Sequence, residues 1–322
     1  MPSTRLLIPL VLFALLLGGP VLLPRPDAGT RDGRELAGPD GRFSRLAGVD
    51  VHHETTGPAD APTVMLLHHF YGSTATWRHV LAGLSPTHRT VAFDRPGFGL
   101  TERPRRNRWP QDANPYTRGA SARITLGLLD EVGAGEAVLV GASAGGTVAL
   151  EAYARAPERV RALVLISPAI TGDVGPPAAV RPLLRSAQAR RLGPRLVRRR
   201  AADISLERIT RSWHDPSRAT PDDLAAYQRP LEVQGWDRGL WEAVTAEPPP
   251  ALGDLLGRID VPTLVVTGAA DRVISPRWNA RTAAAIPGAR LEVLGGCGHT
   301  PHEECPEQLL EVLRDFLDGL ER

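Results

Sequence analysis

Ser143 stands at the centre of Gly141-Ala142-Ser143-Ala144-Gly145, a G-x-S-x-G pattern at the end of an apolar run. The run Ala137-Val138-Leu139-Val140 reads as a buried strand, and the stretch from Ala144 to Tyr153 reads as a helix. A serine on so sharp a strand-to-helix turn is forced into the open. Glycines on both sides remove the Cβ atoms that would block close contacts. The amide of Ala144 falls at a helix N-terminus, where developing negative charge is favoured. This is the chemistry of nucleophilic attack, and it demands a base and an acid further along the chain. Two-glycine pentapeptides also recur by chance in a chain this rich in glycine and alanine, so the flanking strand and helix carry the inference.

Asp271 follows the apolar strand Thr263-Leu264-Val265-Val266-Thr267, and His299 follows the next one, Arg290-Leu291-Glu292-Val293-Leu294. Both are therefore expected at the same sheet edge as Ser143. His302 is a fallback base and Asp173 an alternative acid, although its loop reads as the entry to a helical insertion. Asp94 suits a structural role, satisfying loop amides in a turn where glycines allow tight bends. His68 reads as a positioning residue, and His52 and His53 as ordinary strand residues. No His/Cys/Asp/Glu cluster has metal-ligand spacing and no glycine loop resembles a phosphate cradle, so neither metal nor cofactor is expected.

The elements that must position these residues follow from patterning. Phe43–Ala47 and Val49–Glu54 look like a hairpin. Buried strands are expected at Thr63–His68, Thr90–Asp94, Ala137–Val140 and Val160–Ile166, with helices at Thr74–Leu84 and Tyr116–Val132. Strands alternating with helices imply a parallel sheet covered on both faces. The alternation breaks between Pro168 and Pro250, which has no clear buried strand, three tryptophans (Trp213, Trp236, Trp241) and Arg-rich helical segments. It reads as a mostly helical insertion over the carboxyl ends of the strands, where open α/β sheets bind ligands.

At 322 residues the chain can hold one large α/β domain or two small ones. Net charge is near zero, which gives no electrostatic case for a nucleic-acid partner. The basic residues are all arginine, a pattern that fits a coding bias. Residues 6–23 are almost wholly apolar, between Arg5 and Arg25, so 1–25 reads as a signal or anchor segment. Possible membrane association or export is expected from it, with a cytoplasmic location left open. Residues 26–42 read as a linker. Cys297 and Cys305 are expected to be free, partly buried thiols; pairing would require export. The eight arginines Arg181, Arg185, Arg190, Arg191, Arg195, Arg198, Arg199 and Arg200, interleaved with leucines, make a basic amphipathic surface. A solvated face is the simpler reading, and contact with anionic membrane the alternative.

Over Phe43 to Leu317 four features, in order, resemble the α/β-hydrolase family. They are His68-His69-Phe70-Tyr71-Gly72-Ser73 after the third strand; Asp94-Arg95-Pro96-Gly97-Phe98-Gly99-Leu100-Thr101, similar to a D-x-x-G-x-G-x-S turn; the Ser143 elbow; and the pair Gly268–Asp271 with Gly296–His299. The resemblance implies a mostly parallel eight-stranded sheet, helices on both faces and a helical cap inserted after strand 6. The hydrolase domain would span 43–322 and the cap 170–250. It also implies Ser143 as nucleophile, His299 as base, Asp271 holding the imidazole, and the Phe70 and Ala144 amides as the oxyanion hole. His69 stands where glycine is usual, so it and Tyr71 are substrate-pocket candidates. The expected activity is cofactor-free hydrolysis of a small, apolar ester or related acyl compound. A carbon–carbon bond hydrolase or cofactor-free perhydrolase with the same triad is the alternative, then a non-catalytic ligand receptor. Serine at the elbow argues against the haloalkane dehalogenases and epoxide hydrolases, which use aspartate there.

Overall fold

The computed structural model describes residues 29–110, 113–170, 178–246 and 251–321. Its centre is an eight-stranded sheet in the order β1-β2-β4-β3-β5-β6-β7-β8. The strands are β1 (Gly41–Leu46), β2 (Val49–Thr56), β3 (Thr63–Leu67), β4 (Arg89–Phe93), β5 (Ala137–Ala142), β6 (Val160–Ile166), β7 (Thr263–Gly268) and β8 (Arg290–Leu294). β1 and β2 form an antiparallel hairpin and β2 runs antiparallel to β4; the pairings from β4 through β8 are parallel. The central strands are near-continuous apolar runs because side chains leave both faces of the sheet into packed helices. On β3, Val64 and Leu66 enter one core while Met65 and Leu67 enter the other.

In chain order the helices are α1 (Gly33–Leu36), α2 (Arg78–Leu84), α3 (Arg118–Glu131), α4 (Ala144–Arg155), α5 (Arg181–Leu184), α6 (Ala187–Arg199), α7 (Ala201–Ser212), α8 (Pro221–Gln228), α9 (Trp236–Thr245), α10 (Gly253–Leu256), α11 (Pro276–Ala285), α12 (Pro301–Glu304) and α13 (Pro306–Leu320). α3 and α4 cover one face, with Ile124, Leu128, Val148 and Ala152 packed against Met65, Leu139 and Leu163. α2 and α13 cover the other: Leu309, Leu313 and Leu317, spaced by four, form the buried stripe of α13.

After β3 the chain moves to β4 on one side, and it returns to place β5 on the other side of β3. The crevice beyond the carboxyl ends of β3 and β5 is thus the topological switch point of the sheet. Both the loop after Leu67 and the turn at Ser143 open into it.

Between β6 and β7, helices α5 to α9 precede α10, and no strand interrupts them among the described residues. They reach down to the sheet. Gly239 of α9 lies on Gly97, in the loop after β4, where a Cβ on Gly97 would come 3.0 Å from the Gly239 carbonyl. The stretch expected as a linker is tied down from residue 29: α1 is capped by the Asp32 side chain, and Thr30 and Arg31 donate to the Glu232 carbonyl. Residues 6–23 and Asp173 lie outside the described residues. Among the described residues no helix is long and apolar enough to cross a membrane.

The cysteine expectation is overturned: Cys297 and Cys305 are disulfide-bonded, with Cα atoms 6.1 Å apart. The Gly-rich loop after β8 curls back on the start of α13, a proximity that sequence spacing could not reveal. The bridge staples the His299 loop to the scaffold.

Candidate active site

Ser143 has φ 50° and ψ −114°, a conformation costly for a residue with a Cβ. The packing around it explains why the conformation persists. A Cβ on Gly145 would fall 1.9 Å from the Leu67 carbonyl of β3, and one on Gly141 2.5 Å from the Gly145 carbonyl. Only glycine at both places lets α4 leave β5 so steeply. The Ser143 amide is tied to the Ile166 carbonyl of β6 at 2.8 Å, so neighbouring strands hold the turn. The serine is 7% exposed.

The structure brings Asp271 and His299 together. His299 Nδ1 donates to Asp271 Oδ2 at 2.9 Å, while Asp271 Oδ1 accepts from the amides of Val273 (2.8 Å) and Ile274 (2.9 Å). With Nδ1 protonated against a carboxylate, Nε2 carries the lone pair. Nε2 is buried and has no hydrogen-bond partner, so it is free to take a proton. Burial lowers the His299 pKa, with Asp271 opposing that effect, so the ring is a neutral base at pH 7.

The fallback base lies elsewhere. His302 is fully buried, its ring 4.4 Å from that of Trp77, and burial drives its pKa down to about 3. Asp94 takes the structural role: it accepts from the Thr74 amide (2.7 Å), the Leu100 amide (2.6 Å) and His52 Nδ1 (2.8 Å). His52 is thereby more than an ordinary strand residue. Burial works against its charge, but the Asp94 carboxylate outweighs burial and raises its pKa. His53 bonds Ser44 at 3.0 Å, and burial lowers its pKa to about 4.

The loop after β3 is held with unusual density. The Phe70 amide is one end of the His69–Phe70 peptide, whose carbonyl accepts from His68 Nδ1 (2.7 Å), the Arg95 guanidinium (3.1 Å) and the Gly72 amide (3.1 Å). Those three donors fix the peptide plane and so the direction of the Phe70 N–H. Hydrogen bonds at one end of a peptide also polarise the other. His68 in turn accepts the Arg95 amide on Nε2 at 3.0 Å, consistent with a positioning residue. The Ala144 amide opens α4, among the N–H groups that a helix leaves unpaired.

His69 turns away from solvent into a cluster that the sequence did not disclose. Its Nδ1 lies 2.9 Å from the Phe70 carbonyl and its Nε2 3.3 Å from Glu303, whose carboxylate accepts the Tyr227 hydroxyl at 2.7 Å. His69, His302 and Glu303 form a His/Glu grouping whose ligand atoms lie within 4.8 Å of one another, the set most able to hold a cation among the described residues. Hydrogen bonds account for the short contacts of His69 and Glu303, whereas both ring nitrogens of His302 are buried without a partner. Nδ1 of His69 faces an acceptor and must donate, and its Nε2 faces a carboxylate and a phenol. Tyr71, at φ 74°, has a buried hydroxyl without a partner, and burial pushes its pKa up.

Four residues escaped sequence reasoning: Glu303, Glu304, Arg208 and Tyr227. Glu304 accepts from the amides of Gly298 (2.6 Å), His214 (2.9 Å) and Asp215 (2.8 Å), clamping the His299 loop to the chain that leaves α7. Arg208 of α7 donates to the Phe70 carbonyl at 3.0 Å, and Tyr227 of α8 reaches Glu303. The only signal for Glu303 and Glu304 was their nearness to His299; Arg208 and Tyr227 are brought in by the insertion, whose folding the pattern did not give.

The profile of the alpha/beta hydrolase fold matches residues 62–306. A 2-hydroxymuconate semialdehyde hydrolase from a Pseudomonas species is 31% identical over 86% of this chain and 93% of its own length. An uncharacterized hydrolase of Bacillus subtilis is 27% identical over 88% of this chain and 99% of its own. Among solved structures, a thermophilic esterase from Thermogutta terrifontis, with malate bound, superposes with a TM-score of 0.70 and 26% identity, covering 93% of this chain and 100% of that one.

Proposed function

Because the chain belongs to the alpha/beta hydrolase fold family, we propose that it is a serine hydrolase that cleaves an ester or related acyl bond. The observation that carries this reading is the Asp271–His299 pair, with a buried, unpartnered Nε2, at the sheet edge that holds Ser143 on its strained turn. Ser143 Oγ attacks the acyl carbon as His299 Nε2 takes its proton, and Asp271 stabilises the imidazolium. The oxyanion is received by the Phe70 and Ala144 amides. Each such donor is worth about 3–4 kcal/mol in the transition state. His299 then protonates the leaving group, and water, activated by the same ring, releases the acyl group from Ser143. The helices between β6 and β7 serve as the cap, and His69 and Tyr71 shape the acyl pocket beneath it.

A second reading, hydrolysis of a carbon–carbon bond with the same residues, is favoured by relatives near 30% identity named as hydrolases of 2-hydroxymuconate semialdehyde and of 2-hydroxy-6-oxononadienedioate. Turnover of a p-nitrophenyl ester series, beside ring-cleavage dienedioates, separates the two. Ser143→Ala should abolish turnover and labelling by a fluorophosphonate probe. Unchanged turnover in that variant would overturn the nucleophile. A folded wild-type protein that refuses the probe would favour a receptor.

A further inference from the structure

Seven large apolar side chains stand exposed among the described residues, and four of them, Val180, Leu183, Leu192 and Leu196, fall in one stretch of the insertion. Leu183 is 65% and Leu196 59% exposed. The same stretch, 181–200, has its eight arginines and no acidic residue. Packing turns this face outward. Gly193 of α6 lies against the Trp241 indole, where a Cβ would come within 2.3 Å, and Arg198 and Arg190 reach inward to Asp237 (2.6 Å) and Glu242 (3.7 Å). Val197 packs with Phe70, Tyr71 and Phe98 above the oxyanion loop. The inner face of α6 is thus committed, while Leu192, Leu196, Arg199 and Arg200 face outward uncovered.

The path of the chain points to what covers them. Thr30 and Arg31 bond the Glu232 carbonyl, so the N-terminal stretch emerges on the insertion itself. In the sequence only residues 24–28 separate Gly29 from the apolar run 6–23. Five extended residues reach about 17 Å. Anything that buries residues 6–23 in a lipid layer therefore holds the insertion beside that layer. A helix with leucines at i and i+4 flanked by guanidinium groups suits an interface with acyl chains below and phosphates above.

We propose that the outer face of α5 and α6 docks on a bilayer carrying anionic lipid, with Leu183, Leu192 and Leu196 entering the headgroup boundary and Arg199 and Arg200 meeting phosphates. The proposal does not depend on the identity of the bond cleaved.

The test uses the full chain and vesicles of phosphatidylcholine with or without one quarter phosphatidylglycerol. An environment-sensitive fluorophore on Leu196→Cys should shift to the blue on anionic vesicles, while the same label on Val293→Cys, on the far edge strand β8, should not. The native cysteines are paired and do not compete for label. Leu192→Glu/Leu196→Glu should lose at least tenfold in partitioning to anionic vesicles with an unchanged circular-dichroism melting curve. Arg199→Ala/Arg200→Ala should lose about 25-fold, at roughly fivefold per arginine. A label at position 196 that stays unshifted on vesicles the chain has bound through its N-terminus overturns the proposal. So does wild-type binding by the leucine variant. Loss with the arginine pair alone would indicate a polyanion surface, and a concentration-dependent dimer broken by the leucine variant would indicate a second copy; either result overturns it too.

Discussion

Asp271→Asn is the sharpest perturbation of the proposed mechanism, because the surroundings of the carboxylate dictate how the amide must sit. Oδ1 accepts two backbone amides, from Val273 and Ile274. An asparagine can keep both bonds only with its carbonyl oxygen at that position. Its NH2 group is then forced to the Oδ2 position, facing His299 Nδ1. Two donors cannot share that 2.9 Å contact, so the imidazole moves its proton to Nε2 and loses the lone pair that should receive the Ser143 proton. Loss of the base in this way, with geometry preserved, costs about 10⁴ in kcat, equivalent to about 5.4 kcal/mol. The assay is stopped-flow release of p-nitrophenol. The acylation rate should fall about ten-thousandfold with KM within a few-fold of wild type, and nitrogen NMR of His299 should report the reversed tautomer. Asp271→Ala leaves two amide donors unpaired and should also destabilise the fold by about 1–3 kcal/mol for each. Asp271→Asn should leave the melting temperature nearly unchanged. A loss under tenfold in the asparagine variant would refute the assignment of Asp271.

Three other outcomes follow from the same structure. Burial, opposed by Asp271, lowers the His299 pKa, and the base must be neutral; kcat/KM should therefore rise with pH along a limb centred below about 6.5 and be level at pH 7, which a pH–rate profile checks. His302 has a folded pKa of about 3, below its unfolded value, so its contribution to stability is full above about pH 6.5 and is lost as pH falls towards 3. His302→Phe, which keeps the packing on Trp77, should show about 2 kcal/mol less loss between pH 7 and 5 than wild type in urea unfolding; equal losses would contradict the burial of a neutral ring. Cys297→Ser/Cys305→Ser opens a loop of eight residues' separation, worth about 2.5 kcal/mol by chain entropy, and should lower the melting temperature by about 4 °C. An unchanged melting temperature in oxidising buffer would show that the bridge does not form.

The sheet was legible because its strands are self-contained signals. Val138–Val140 and Leu163–Ile166 are buried on both faces and cannot be read as amphipathic helix, and glycine at 141 and 145 admits few alternatives to a tight turn. The placing of Asp271 and His299 at one edge was legible for the same reason: each follows a strand end. What could not be read depends on long-range closure. Residues 29–37 gave the composition of a linker, yet their hydrogen bonds go to Glu232, some 200 positions away. Glu304 looks like one more acid in a charged helix start, and its three amide partners come together only when the chain leaving α7 lies on the His299 loop. The paired cysteines failed for a different reason, since a separation of eight residues is compatible with both contact and distance until the glycines between them bend.

His69 shows how one departure in sequence carries others with it. An imidazole where the family usually has glycine cannot be buried alone, because its second nitrogen would be left without a partner at a cost of about 1–3 kcal/mol. In this chain Nδ1 is satisfied by the Phe70 carbonyl, which leaves Nε2 pointing into the interior. Glu303 meets it, and a buried carboxylate in turn needs more than one donor; the Tyr227 hydroxyl supplies the second. Burial alone would push the Glu303 carboxyl up, but these contacts outweigh it and hold its pKa at about 2. Tyr227 belongs to the insertion and Glu303 to the segment just after His299. The substitution at position 69 therefore joins the oxyanion loop, the base loop and the proposed cap through a single polar contact set. Loosening the insertion would take the Tyr227 hydroxyl away from both Glu303 and Nε2 of His69. Movements of α8 are then coupled to the loop that presents the Phe70 amide, and substrates that wedge α8 away from Glu303 should be turned over more slowly than their ester reactivity alone would dictate.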